Sequence, residues 1–267
     1  INDSLQKAMY NNHPRVVMMK PEMVDQIDYD RILEMYNDRF KDASDFTFYF
    51  VGNIDLETAK PLIAEYLGAL PAINRKETFK DTKMEIRKGT YKNEFAKEQQ
   101  TPMATIVFLY TGKTPYTLKN EILLSYMTQV LNMVYTEEVR EKEGGTYGVS
   151  CPKEQLLMQI VFQTDPEKKD KLAGIVVDEL KKLAAEGPSD VHLQKVKEYM
   201  LKKYADNQKE NAYWLNNLND YFYYNMDMTQ GYTDIVNSIT AKDIQKFAAD
   251  LLKQGNEIEV TMTVPKK

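Results

Sequence analysis

Residues Lys242–Val264 read KDIQKFAADLLKQGNEIEVTMTV, and residues Asp30–Gly52 read DRILEMYNDRFKDASDFTFYFVG. The two stretches align without a gap from Ile32 to Ile244, an offset of 212 residues. Ile32, Tyr36 and Phe40 face Ile244, Ala248 and Leu252, an apolar stripe at i, i+4, i+8 in both copies. Asp38 faces Asp250 and Lys41 faces Lys253. Phe46, Phe48 and Phe50 then face Ile258, Val260 and Met262, a period of two. Each copy therefore predicts an amphipathic helix followed by a half-buried strand. Any helix followed by a strand shares some of this pattern; if the repeat is real, the second copy is complete and the first shows only its final helix and strand. The chain then reads as a fragment of something longer. Residues 1–75 are expected to be the tail of one unit (helix, strand, helix) plus a linker at Pro71–Arg75. Residues 76–267 are expected to be a complete second unit. The start at Ile1, with no initiator Met and no apolar leader, agrees with that expectation.

Working outward, a helix is expected over Asp3–Asn12. Asp55 caps another that carries Leu56, Ile63, Tyr66 and Leu67 and stops near Gly68. Polar strands are expected near Thr82–Phe95, and a stronger one over Ala104–Tyr110. A long helix from about Pro115 to Lys142 carries Ile122, Leu123, Tyr126, Val130, Met133 and Val134. Gly144-Gly145 stop it, and strands follow at Tyr147–Cys151 and Leu156–Thr164. Asp165 and Pro166 suit the N-cap and first position of a helix bearing Leu172, Ile175, Val176, Leu180 and Leu183. Further helices run from Gly187-Pro188-Ser189 to about Asn207, over Tyr213–Tyr224, and as a short pair within Tyr232–Leu251. Strands mixed with long helices in unequal order give an α+β fold, a mixed or antiparallel sheet with long helices packed on one face.

Composition narrows the function. The 35 Lys+Arg against 40 Asp+Glu leave a net charge of −5 over 267 residues, which argues against non-specific nucleic-acid binding. The apolar run Ala104–Tyr110 is too short to cross a bilayer. One cysteine, Cys151, excludes an internal disulfide framework and fits cytoplasm or periplasm alike, so localisation stays open between the two. Two histidines, His13 and His192, lie far apart, and neither HExxH nor HxxEH is present. No residue is assigned to metal.

The most conspicuous local signal is Gly144-Gly145-Thr146-Tyr147-Gly148. It lacks the GxxxxGK[ST] spacing and follows a helix, where exposed carbonyls repel phosphate, so a phosphate loop is rejected. Gly144 or Gly145 supplies a left-handed cap. Arg140 in the helix's last turn and Tyr147 at the next strand offer two directional donors to a peptide carbonyl or a tetrahedral oxyanion. Against this, Arg140 would merely complement the helix C-terminus and Tyr147 would fill the core. His192 reads as a surface histidine and His13-Pro14 as a loop. Trp214, Leu218, Tyr221 and Phe222 recur at helical spacing and are expected in the core. Lys168-Lys169 and Lys181-Lys182 are expected on solvated helix faces, and Cys151 as an inert buried thiol.

The run Arg140-Glu141-Lys142-Glu143-Gly144-Gly145-Thr146-Tyr147-Gly148-Val149 resembles the second half of pitrilysin-type (M16, inverzincin) zinc peptidases. The likeness continues through Phe162-Gln163-Thr164-Asp165-Pro166 and Asn211-Ala212-Tyr213-Trp214-Leu215. Upstream it extends through Phe46–Asp55 and Pro61–Pro71, and so covers nearly the whole chain. The resemblance implies four related α+β units forming two halves around a chamber, with HxxEH and its zinc in the first half. This chain would be the non-metal-binding C-terminal region, silent alone, with Zn2+ bound only in the full-length enzyme. Its partners would be the N-terminal catalytic half, in the same protein or as a separate subunit, and a peptide substrate, with no nucleic acid and no membrane. Arg140 and Tyr147 would hold the substrate backbone and stabilise the oxyanion, at about 3–4 kcal/mol per good donor. A natural non-catalytic scaffold or partner subunit of such a complex is the alternative.

Overall fold

The computed structural model describes residues 1–151, 153–154 and 157–265. Its organising element is the strand β2 (Ala104–Tyr110), buried along its whole length. It lies between β5 (Leu157–Thr164) and β6 (Glu257–Thr263), antiparallel to both. A strand covered on both faces reads as a continuous apolar run, which is why ATIVFLY shows no alternation. β1 (Thr90–Ala96) adds to β6 in parallel, and β3 (Val149–Ser150) and β4 (Lys153–Glu154) pair with β5, giving the order β1-β6-β2-β5-β3. The mixed sheet is the expected one, and Leu156, the predicted start of β5, lies outside the described residues.

One face carries the long helices. α4 (Leu118–Tyr135) is apolar nearly all round because it is central, with α5 (Lys169–Glu186), α6 (Asp190–Asn207), α8 (Tyr232–Ser238) and α9 (Ala241–Lys253) packed around it. Two buried tyrosines tie this layer together. The Tyr126 hydroxyl donates to the Val236 carbonyl at 2.9 Å, and that of Tyr135 to the Val176 carbonyl at 3.1 Å. Ser189 caps α6 through the His192 amide, and Thr240 with Asp243 forms a capping box on α9. On the opposite face α1 (Asn2–Met9) sets Ala8 and Met9 against Leu109, Ile258 and Val260. Among the described residues no helix is long and apolar enough to cross a membrane.

The segment between α1 and β1 behaves differently. It leaves and re-enters at one place: His13 Nε2 donates to the Thr82 carbonyl at 3.0 Å, and Arg87 donates from its backbone and side chain to the Met9 and Ala8 carbonyls, each at 2.7 Å. Within it, α2 (Tyr29–Phe40) and α3 (Leu56–Tyr66) form with their N-caps Asp28 and Asp55 in place. Neither helix buries a residue. Asp42 holds the segment's shape, accepting from the Ser44 amide and hydroxyl and from the Ile73 and Arg75 amides.

Several expectations are corrected here. Phe46–Phe50 forms no strand, because a ladder needs a neighbouring strand and none lies beside it among the described residues; Phe46, Phe48 and Phe50 are exposed. In the expected polar region Thr82–Phe95, regular strand begins only at Thr90, where β6 supplies a partner. The long helix starts at Leu118 behind the Thr117 cap, not at Pro115, and changes pitch after Tyr135. Asp165 makes no side-chain cap, since a 3-10 turn at Pro166–Lys168 precedes α5. Trp214, Tyr221 and Phe222 are exposed on α7 (Asn211–Tyr224), where the Tyr49 ring lies 5.7 Å from that of Phe222 without burying it. Their helical spacing is real but does not mark a core face.

Candidate functional site

The Gly-rich turn grows out of an irregular helix end. After α4 the chain winds as a π-helix over Thr136–Glu141, with the Lys142 amide reaching back to the Glu137 carbonyl at 3.2 Å. The Thr136 hydroxyl donates to the Asn132 carbonyl at 2.8 Å, competing with the backbone ladder where the pitch changes. Such wide turns recur at functional sites. Val139 anchors this segment in the core, and Arg140 next to it points to solvent, paired with Glu141 at 3.6 Å. Gly144 then takes φ +56°, the left-handed cap that the sequence called for.

Gly145 does something else. It is buried, and a Cβ there would come within 2.8 Å of Leu172 Cδ1 and 3.2 Å of Lys168 Cδ on α5 and the turn before it. Its carbonyl accepts the Thr164 hydroxyl at 2.5 Å. The Lys171 ammonium pairs with Glu143 just before the glycines. At the tip, the Thr146 hydroxyl donates to the Gly148 carbonyl at 3.0 Å while receiving the Gly148 amide at 3.2 Å. On the strand side Val149 is buried, and the Cys151 amide donates to Asn132 Oδ1 at 2.7 Å. The turn is thus fixed at its base and open at its tip.

Tyr147 occupies that tip and is 97% exposed. It is not core, which removes the packing explanation for it. Nor does it rest on Arg140: a ring so exposed is packed against nothing. The two predicted residues therefore each reach solvent, one on either side of the buttressed glycine pair. Both are available as donors, one a fixed cation and one a phenol.

The other candidates resolve individually. His192 is not a free surface group; its side chain is 16% exposed and lies 3.3 Å from Glu137, linking α6 to the π-helix. Lys169 likewise departs from the solvated face, because its ammonium sits between Glu94 and Asp170, while Lys181 and Lys182 are exposed as expected. Cys151 is buried, and burial pushes its thiol far above the usual range, so it is protonated and unreactive. Among the described residues no group of three or more His, Cys, Asp or Glu could hold a metal ion. Thr164, inside the run Phe162–Pro166, and Asn132 on α4 both hold the turn, a role that the sequence reading assigned to neither. The one available signal for Thr164 is a hydroxyl ending the apolar alternation Met158, Ile160, Phe162.

Comparison with known proteins agrees with this architecture. The chain is 26% identical over 213 residues to the zinc protease PQQL-like of Arabidopsis thaliana, covering 72% of this chain and 22% of that protein. The periplasmic protease PqqL of Escherichia coli superposes on 99% of this chain and 30% of its own, with a TM-score of 0.80 at 19% identity. A peptidase M16 inactive domain from Pseudomonas fluorescens does so over 99% of this chain and 65% of its own, with a TM-score of 0.74 at 17% identity. The chain spans about a fifth of the length of the curated relatives it matches. The family described as peptidase M16 inactive domain matches residues 26–200, about two-thirds of the sequence, and the chain belongs to that family.

Proposed function

We propose that this chain is the non-metal-binding region of a zinc-dependent peptidase, lining the peptide chamber and gripping the substrate backbone while a separate zinc-bearing half cleaves it. The observation that carries the reading is the pairing of a rigid base with exposed donors: Val139, Gly145 and Val149 are buried, and Arg140 and Tyr147 project from between them. Because the backbone that carries them is held in advance, only the two side chains have to become ordered when the oxyanion forms. The neighbouring β3 is an edge of the sheet, pairing only with β5 among the described residues, so its outer side can meet an extended peptide by main-chain hydrogen bonds. In this role Arg140 fixes a substrate carbonyl, and the Tyr147 hydroxyl donates to the oxygen that becomes the oxyanion. No proton transfer is asked of either.

The test uses the full-length protein with a peptide substrate. Arg140→Ala and Tyr147→Phe should each lower kcat/KM by roughly 100-fold, the scale of losing one such donor, with zinc content unchanged. Normal turnover in both variants would overturn the assigned roles.

A further inference from the structure

We infer that Thr164 is a positioning residue for the Arg140–Tyr147 turn, acting through the Gly145 carbonyl; the inference rests on the role proposed above for that turn. On β5 the side chains facing the helices are Met158, Ile160, Phe162 and Thr164, all buried. Packing alone would favour a fourth apolar residue there. A buried hydroxyl needs a partner to offset its loss of water, and this one has a single donated bond, 2.5 Å long, to a carbonyl 19 residues away.

The acceptor lies where it controls most. A Cβ on Gly145 would meet Leu172 Cδ1 at 2.8 Å and force it aside, so here the glycine backbone itself packs against α5. Tyr147 follows two residues later with no packing of its own. Its direction is therefore set by the path of residues 145–148. That path is held from outside by Thr164 on the Gly145 side, and by the Val149–Phe162 strand pairing and Asn132 on the other. The Thr146–Gly148 bonds only close the tip. Removing the Thr164 hydroxyl frees the first anchor while leaving both donors chemically intact.

Two readouts separate this from ordinary packing. In this chain, Thr164→Val, which keeps the shape, should speed amide exchange over residues 142–148 about tenfold, the scale of one hydrogen bond. Thr164→Ser should restore protection, and α4 amides, unchanged, control for folding. Gly145→Ala attacks the same contact from the other side and should give the same local acceleration even if the valine variant loosens the core. In the full-length protein, Thr164→Val should lower kcat/KM roughly tenfold through misplacement of the donor, again rescued by serine. Combined with Tyr147→Phe it should be no worse than Tyr147→Phe alone, since it acts through that residue. Unchanged exchange over 142–148, or additive losses in the double variant, would overturn the inference. Normal turnover in Arg140→Ala and Tyr147→Phe would instead sink the functional reading, and exchange would still decide whether Thr164 holds the turn.

Discussion

α2 and α9 carry the same apolar stripe at the same spacing, yet Ile244 and Ala248 of α9 are fully buried, while Ile32 and Tyr36 of α2 are more than half exposed. The strands that follow differ in the same sense. β6 is paired on both sides, by β1 and β2, whereas Phe46–Phe50 has no paired strand beside it among the described residues. Periodicity states which face of an element will be covered; it says nothing of what covers it. A helix can form from local signals alone, such as the Asp28 cap, but the energy of burial comes only with a partner surface.

This contrast can be broken by measurement. The largest effect is expected from Leu131→Ala or Ile160→Ala, both fully buried, at about 2–5 kcal/mol in chemical denaturation. Ile32→Ala in α2 should stay within about 0.5 kcal/mol. Equal losses would mean that α2 is packed in solution after all. Next comes Tyr126→Phe, which leaves the Val236 carbonyl buried without its donor and should cost about 1–2 kcal/mol. Tyr36→Phe in the exposed region should change nothing measurable.

A smaller, local effect concerns Asp42, whose carboxyl is held well below the usual range by the Ser44 hydroxyl first and then by the Arg75, Ser44 and Ile73 amides. A depressed folded value means that the stabilisation is complete above the ordinary aspartate pKa of 3.8 and is lost as pH falls through the folded one. Exchange at the Ile73 and Arg75 amides should therefore accelerate, beyond its intrinsic pH trend, only in acid below that range. In Asp42→Asn it should already be fast at neutral pH. The smallest effect is expected from Tyr147→Phe, which should leave the denaturation midpoint unmoved because its ring touches nothing.

Most of the sheet and the helices packed on it were legible from residues alone. Continuous burial of ATIVFLY, the alternation in β5, the Ser189 cap and the Gly144 left-handed turn each follow from side-chain chemistry over a few positions. The family was legible through the run Arg140–Val149 with its companions. Tertiary partners were not. Helical spacing in α7 could not say that Trp214 and Phe222 would stay exposed, and two lysines in a row could not say that Glu94, 75 residues away, would take one of them. The candidate site was half legible: Arg140, Tyr147 and Thr164 stand in readable runs, whereas the contacts of Thr164 and Asn132 with backbone groups across the fold are not spelled by any local pattern.

The closed base of the segment between α1 and β1 has a mechanical meaning. Because His13–Thr82 and Arg87–Ala8/Met9 pin both ends at one corner of the sheet, the intervening stretch is a handle rather than a tail. A handle cannot be traded with a second copy by opening one hinge, so its apolar residues meet any surface only as a closed loop. Its length is also nearly free to drift, since doubling a closed loop costs only about 0.6 kcal/mol. Changes along the handle need therefore leave no trace in the register of the sheet that carries it.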